Sequence, residues 1–212
     1  MSALSKLWIK ICGITQNSDA ISAAELGADA IGLVFYADSP RAVQANEVNN
    51  LLINVLGKIK TVALFVDPSR EEVERVLETG VIDFLQFHGA ESEKFCHSFG
   101  KPYLKALHVK NNQSISEDSD KYKSAEYLLL DSYSIEQPGG TGRSFDWSIG
   151  KKVVQNSNQK VIIAGGLKPE NIKEVVNEIN PFGVDVSSGV ELSPGLKDTG
   201  KLKKFIEGAR SV

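Results

Sequence analysis

Two cysteines, Cys12 and Cys96, are all that the 212 residues contain, and they stand far apart, without the close spacing of a metal-binding pair. That scarcity excludes a disulfide scaffold, suggests no zinc site, and leaves both as free thiols in a reducing compartment. Basic charge is equally thin: the formal net charge is -3, and no lysine or arginine stripe offers a field for nucleic acid. No apolar run approaches the roughly 18 residues of a membrane span, and Met1 to Lys6 is short and polar rather than leader-like. The expectation is a cytoplasmic protein with neither nucleic acid nor membrane among its partners. No low-complexity linker divides the chain, so residues 1–212 read as one domain.

What is there is a regular alternation. Short β-branched and apolar runs at 7–13, 30–35, 60–66, 83–88, 103–109, 127–131, 160–164 and 182–187 read as strands. Amphipathic stretches at about 17–26, 44–56, 69–79, 91–98, 117–124, 146–156, 169–178 and 198–208 read as helices. Pro68 and Pro169 suit first helical turns. Eight βα units in about 210 residues predict an α/β fold, a single-domain parallel (β/α)8 TIM barrel, in preference to an open doubly wound sheet.

In such a barrel, chemistry sits at the C-terminal ends of the strands. The seventh strand ends in Ala164-Gly165-Gly166 and the eighth in Val186-Ser187-Ser188-Gly189. Glycines let backbone approach an anion, and amides and serine hydroxyls donate to its oxygens, so Gly165, Gly166, Ser187, Ser188 and Gly189 predict a phosphate site. Either loop alone reads equally as a turn. Along strand one, Ile9 and Ile11 share one face, while Lys10 and Cys12 face the barrel interior. Cys12 near the rim reads as a general base if a cation raises its thiolate fraction, and otherwise as a small buried hydrophobe. Asp131 closes an apolar run, where desolvation favours a protonated general acid; a capping role in the next loop fits as well. Ring order places both beside the phosphate site, the arrangement a sugar phosphate needs for acid-base chemistry. Asp185 shares the parity of Ser187 and should meet Lys10, as a structural pair or as one that tunes Cys12. Beyond strand two, Arg41 can clamp a planar carboxylate bidentately or simply be solvated. His88, after strand four, hydrogen-bonds either substrate or backbone. Gly139-Gly140-Thr141-Gly142 lacks the lysine and spacing of a P-loop and reads as a lid.

Taken together, Lys10-Ile11-Cys12-Gly13-Ile14-Thr15, Ser39-Pro40-Arg41, Gln86-Phe87-His88-Gly89, Gly139-Gly140-Thr141-Gly142 with Phe145-Asp146-Trp147, Ala164-Gly165-Gly166-Leu167, Asp185-Val186-Ser187-Ser188-Gly189-Val190-Glu191 and Pro194-Gly195-Leu196-Lys197-Asp198 resemble the phosphoribosylanthranilate isomerase family of tryptophan biosynthesis. Departures are small: Phe87 stands where a leucine is usual, and Arg143-Ser144 where lysine-threonine is commoner. The resemblance implies an Amadori rearrangement of a phosphoribosyl anthranilate, with no metal and no organic cofactor. It implies Asp131 as the acid at the furanose oxygen and Cys12 as the base at the sugar C2. It further implies Arg41 at the anthranilate carboxylate and His88 and Asp185 near the reacting centre. The expected assembly is a monomer or homodimer, between which the sequence does not choose. Residues alone leave two rivals: another barrel isomerase or epimerase of a pentose phosphate, and a silent phosphate-ligand sensor.

Overall fold

Strands buried on both faces need near-continuous apolar sequence, and the runs Ala30–Val34, Lys60–Phe65 and Tyr127–Asp131 have it. In a computed structural model describing residues 6–108, 121–131 and 147–212, eight such runs pair in parallel. They are β1 (Trp8–Cys12), β2 (Ala30–Val34), β3 (Lys60–Phe65), β4 (Phe84–Phe87), β5 (Tyr103–His108), β6 (Tyr127–Asp131), β7 (Lys160–Ala164) and β8 (Gly183–Val186). They follow chain order, and β1 closes the ring against β8 with Lys10 opposite Asp185. The expected barrel and its strands stand, with ends within a residue or two.

Helices α1 (Asn17–Glu25), α2 (Val48–Leu52), α3 (Arg70–Leu77), α4 (Glu93–His97), α5 (Trp147–Asn156), α6 (Ile172–Ile179) and α7 (Thr199–Arg210) connect the strands. Some differ from expectation. Pro68 and Pro169 precede their helices instead of opening them: Ser69 caps α3 through a reciprocal bond pair with Glu72, and Asn171 stands at the N-cap position of α6 with its side chain accepting from the Lys168 amide. In both places a residue nearer the helix fills the N-cap position and sets the start. The stretch expected as helix at 44–56 is a short 3-10 turn, Ala45–Glu47, running into α2. Of the helix expected at 117–124, residues 121–124 form turns and the remainder lies outside the described residues, as does the lid sequence 139–142. Sequence reading also missed an antiparallel hairpin after β8, made of β9 (Glu191–Ser193) and β10 (Leu196–Lys197).

Strand parity separates two apolar layers. Ile9, Ile11, Leu33, Phe65 and Leu130 pack outward against the helices; Ala30, Val62, Leu104, Leu129 and Ile162 fill the barrel interior. At the strands' N-terminal ends an aromatic group closes the floor. Tyr127 stacks on Phe182 at 5.0 Å and lies 5.5 Å from Trp8 and 5.8 Å from Phe84, ring centre to ring centre, with Lys160 Nζ 5.0 Å above Phe182. With the floor filled, the open rim at the C-terminal ends is the face left for chemistry.

Candidate active site

At that rim the strand ends enclose a cavity of about 490 Å³. All ten residues singled out from the sequence line it: Cys12, Arg41, His88, Asp131, Gly165, Gly166, Asp185, Ser187, Ser188 and Gly189.

Cys12 ends β1 on the inward parity, and its thiol fits because β2 carries Gly32 opposite. A Cβ there would lie 2.8 Å from Cys12 Sγ. Burial pushes the Cys12 thiol up from its ordinary value, against the pull of the neighbouring Lys10 and Lys197 ammonium groups. Lys10, wholly buried, donates to Asp185 Oδ2 at 2.8 Å. Burial disfavours its charge, but Asp185 and Cys12 outweigh that and raise its pKa.

On β4, Gln86 is fully buried and its side-chain nitrogen stands 3.1 Å from His88 Nδ1. His88 Nε2 in turn lies 3.1 Å from Asp131 Oδ2. If the amide donates to Nδ1, Nε2 carries the ring proton and donates to the Asp131 carboxylate.

The glycine- and serine-rich wall of the cavity comes from the ends of β7 and β8. Gly165 and Gly166 both take positive φ, at 80° and 66°, the left-handed region that suits glycine. Gly189 has another reason to be glycine: a Cβ would sit 1.9 Å from the Leu167 carbonyl oxygen, so the two loops touch backbone to backbone. Among the described residues, three buried polar atoms of cavity-lining residues have no hydrogen-bond partner: Ser187 Oγ, Asp185 Oδ1 and Gln86 Oε1. Orphaned polar atoms are uncommon in folded proteins, and here they belong to the walls of one cavity that a polar ligand would fill.

Across the rim, Val34, Tyr36, Leu64 and Val66 make an apolar wall on the side from which Arg41 enters. Arg41 is not a solvated loop residue. Its Nε and Nη2 donate to the two carboxylate oxygens of Glu191 at 2.8 and 2.6 Å, so the hairpin grips one edge of the guanidinium. Sequence reading quoted Glu191 and Lys197 without giving either a role; the signal available was an acidic and a basic residue flanking Pro194-Gly195. Among the described residues no group of three or more His, Cys, Asp or Glu could hold a metal ion, and no helix is long and apolar enough to cross a membrane.

The model of the N-(5'-phosphoribosyl)anthranilate isomerase family matches residues 9–208. The chain belongs to this family. An N-(5'-phosphoribosyl)anthranilate isomerase of Pseudomonas fluorescens is 45% identical over 207 residues, covering 98% of this chain and 100% of the relative. Among solved structures, the phosphoribosyl anthranilate isomerase of Thermotoga maritima superposes with a TM-score of 0.88 at 33% identity, over 97% of this chain and 100% of that one. A further phosphoribosyl anthranilate isomerase, solved with reduced 1-(o-carboxyphenylamino)-1-deoxyribulose 5-phosphate, gives a TM-score of 0.85 at 31% identity, over 97% of this chain and 100% of that one. The residues singled out from the sequence thus line one cavity of this chain with two chemically distinct ends.

Proposed function

We propose that this chain isomerises N-(5'-phosphoribosyl)anthranilate to 1-(2-carboxyphenylamino)-1-deoxyribulose 5-phosphate in tryptophan biosynthesis, by acid-base catalysis without a cofactor. The observation that carries the reading is the shared cavity, with an anion cradle at β7 and β8, an apolar wall with an arginine at β2 and β3, and a thiol and a carboxyl between them. A relative's structure holding a reduced form of the product supports the same ligand class.

The phosphate is bound by the Gly165-Gly166 and Ser187-Ser188-Gly189 backbone and by Ser187 Oγ. The aromatic ring lies against the Tyr36, Leu64 and Val66 side, its carboxylate on Arg41. Asp131 gives its proton to the furanose oxygen as the C1–O bond breaks, and the anilino nitrogen's lone pair forms the C1=N bond of the Schiff base. Cys12, as thiolate, takes the C2 proton, and the C2–H electron pair becomes the C1=C2 bond of the enolamine while the C1=N pair returns to nitrogen. Protonation at C1 and loss of the O2 proton give the ketone. Asp185 and His88 stand close to these atoms and orient the sugar hydroxyls.

Incubation with phosphoribosyl anthranilate, followed by the loss of its fluorescence, tests the assignment. Wild type should turn over, and Cys12→Ser and Asp131→Asn should each lose about 10²- to 10⁴-fold in kcat, the usual worth of a general base or acid. Unchanged turnover in both variants removes the two roles. A wild type without turnover removes the activity and favours a ligand-binding barrel.

A further inference from the structure

The hairpin between β8 and α7 lies outside the barrel's strand ring, yet its charged residues reach three parts of the site. Glu191 is 6% exposed and Lys197 3%, and they pair at 2.8 Å. Lys197 Nζ also donates to the Cys12 carbonyl at 2.6 Å and the Ser187 carbonyl at 3.3 Å, bridging the end of the base's strand and the phosphate loop. Glu191 spends both carboxylate oxygens on Arg41, and the Gly195 amide adds a longer contact at 3.3 Å.

The hairpin is itself fastened to the barrel. Thr15 Oγ1 donates to the Gly195 carbonyl at 2.5 Å and the Lys197 amide to Asp19 Oδ2 at 2.9 Å, while the Asp198 amide closes the hairpin's own base on the Val190 carbonyl at 2.9 Å. Arg41's aliphatic stem rests on Gly13, where a Cβ would lie 2.5 Å from Arg41 Cδ. An arginine with a long free stem loses much rotamer freedom when it grips a ligand. Here the grip on Glu191 has already fixed it, and Lys197 fixes Glu191.

We propose that Glu191 is a positioning residue for substrate recognition: anchored by Lys197, it holds the Arg41 guanidinium so that its outer end meets the substrate's aromatic carboxylate. This rests on the function proposed above and deepens it, because it assigns selectivity for the anthranilate half to a side chain that lies behind the cavity-lining Arg41. Preorganising a charge-assisted contact strengthens binding chiefly by removing the ordering cost. Burial pushes Glu191's pKa up, but hydrogen bonds from Arg41 and Lys197 outweigh it and hold it below the usual carboxylate range, so the anchor is ionised at neutral pH.

The test is a double-mutant cycle in KM for phosphoribosyl anthranilate with Glu191→Gln, Arg41→Ala and both together. Each single change should raise KM by about tenfold or more, the scale of one charge-assisted contact, with a smaller fall in kcat. The pair should be no worse than Arg41→Ala alone, because a residue acting through Arg41 has nothing left to position. Competitive inhibition by inorganic phosphate should be the same in wild type and Glu191→Gln.

If the two effects multiply, or if phosphate affinity falls as far as substrate affinity, Glu191 is only structural and the inference fails. Removing one member of a buried pair can unfold a protein. Should Glu191→Gln not fold, Glu191→Asp, which keeps a carboxylate beside Lys197 but shortens its reach to Arg41, takes its place in the cycle with the same expectations. Wild type that neither turns over nor binds the reduced product analogue overturns the function and the inference together; active wild type with unchanged KM in Glu191→Gln overturns the inference alone.

Discussion

A thiol buried beside two ammonium groups is subject to opposing effects, and at Cys12 burial wins over Lys10 and Lys197. A base in this position is mostly protonated at neutral pH, so kcat/KM, which reports the free enzyme, should still be climbing beyond the ordinary thiol value of about 8.5. A pH–rate profile checks this, and a plateau reached below neutrality would assign the limb to another group. Glu191 gives the opposite sign for stability. Its lowered pKa adds stability that is complete above the unfolded value and lost as pH falls through the folded one. At this scale the sequence was informative where period-two alternation decides: it turned Lys10 and Cys12 inward and put Lys10 against Asp185. It was silent on Arg41's partner, because the contact spans 150 positions and depends on a chain reversal that no strand periodicity announces. The orphaned Gln86 Oε1 and the Gln86–His88–Asp131 chain were equally out of reach, since they need three strands in register.

Elements were legible wherever burial on two faces forces an apolar run, and less so where a turn or cap makes the boundary. Pro68 and Pro169 point to helix starts, but the N-cap residues that follow them, Ser69 and Asn171, mark the true ends. The β9–β10 hairpin escaped notice because its strands of three and two residues are too short for a pattern. The loops after β7 and β8, to which the phosphate is assigned above, behave as one element, since Gly189 presses on the Leu167 carbonyl. Gly189→Ala must therefore move one loop off the other. It should weaken inhibition by inorganic phosphate at least tenfold, about 1.4 kcal/mol or more, while circular dichroism keeps its native shape. Retained phosphate affinity would mean that the anion is held elsewhere.

In the whole molecule, chemistry and support lie at opposite ends of the strands, as expected for this architecture. The floor built from Trp8, Phe84, Tyr127 and Phe182 has no group in the cavity. Phe182→Ala should cost about 2 kcal/mol, below the roughly 3–5 kcal/mol of a fully buried ring. In a chain of this size that lowers the melting temperature by about 4–8 °C, with KM for the substrate unmoved. A changed KM would show the two ends to be coupled.

The β1–β8 seam gives the ring a property that none of its strands has alone. Lys10 and Asp185 are 175 positions apart, so this contact belongs to the strand pairing that closes the longest loop in the ring and forms late in folding. Until it forms, a nearly finished sheet presents two raw borders to its neighbours in solution, templates for association with other copies. Once sealed, no backbone border remains along the ring to template aggregation.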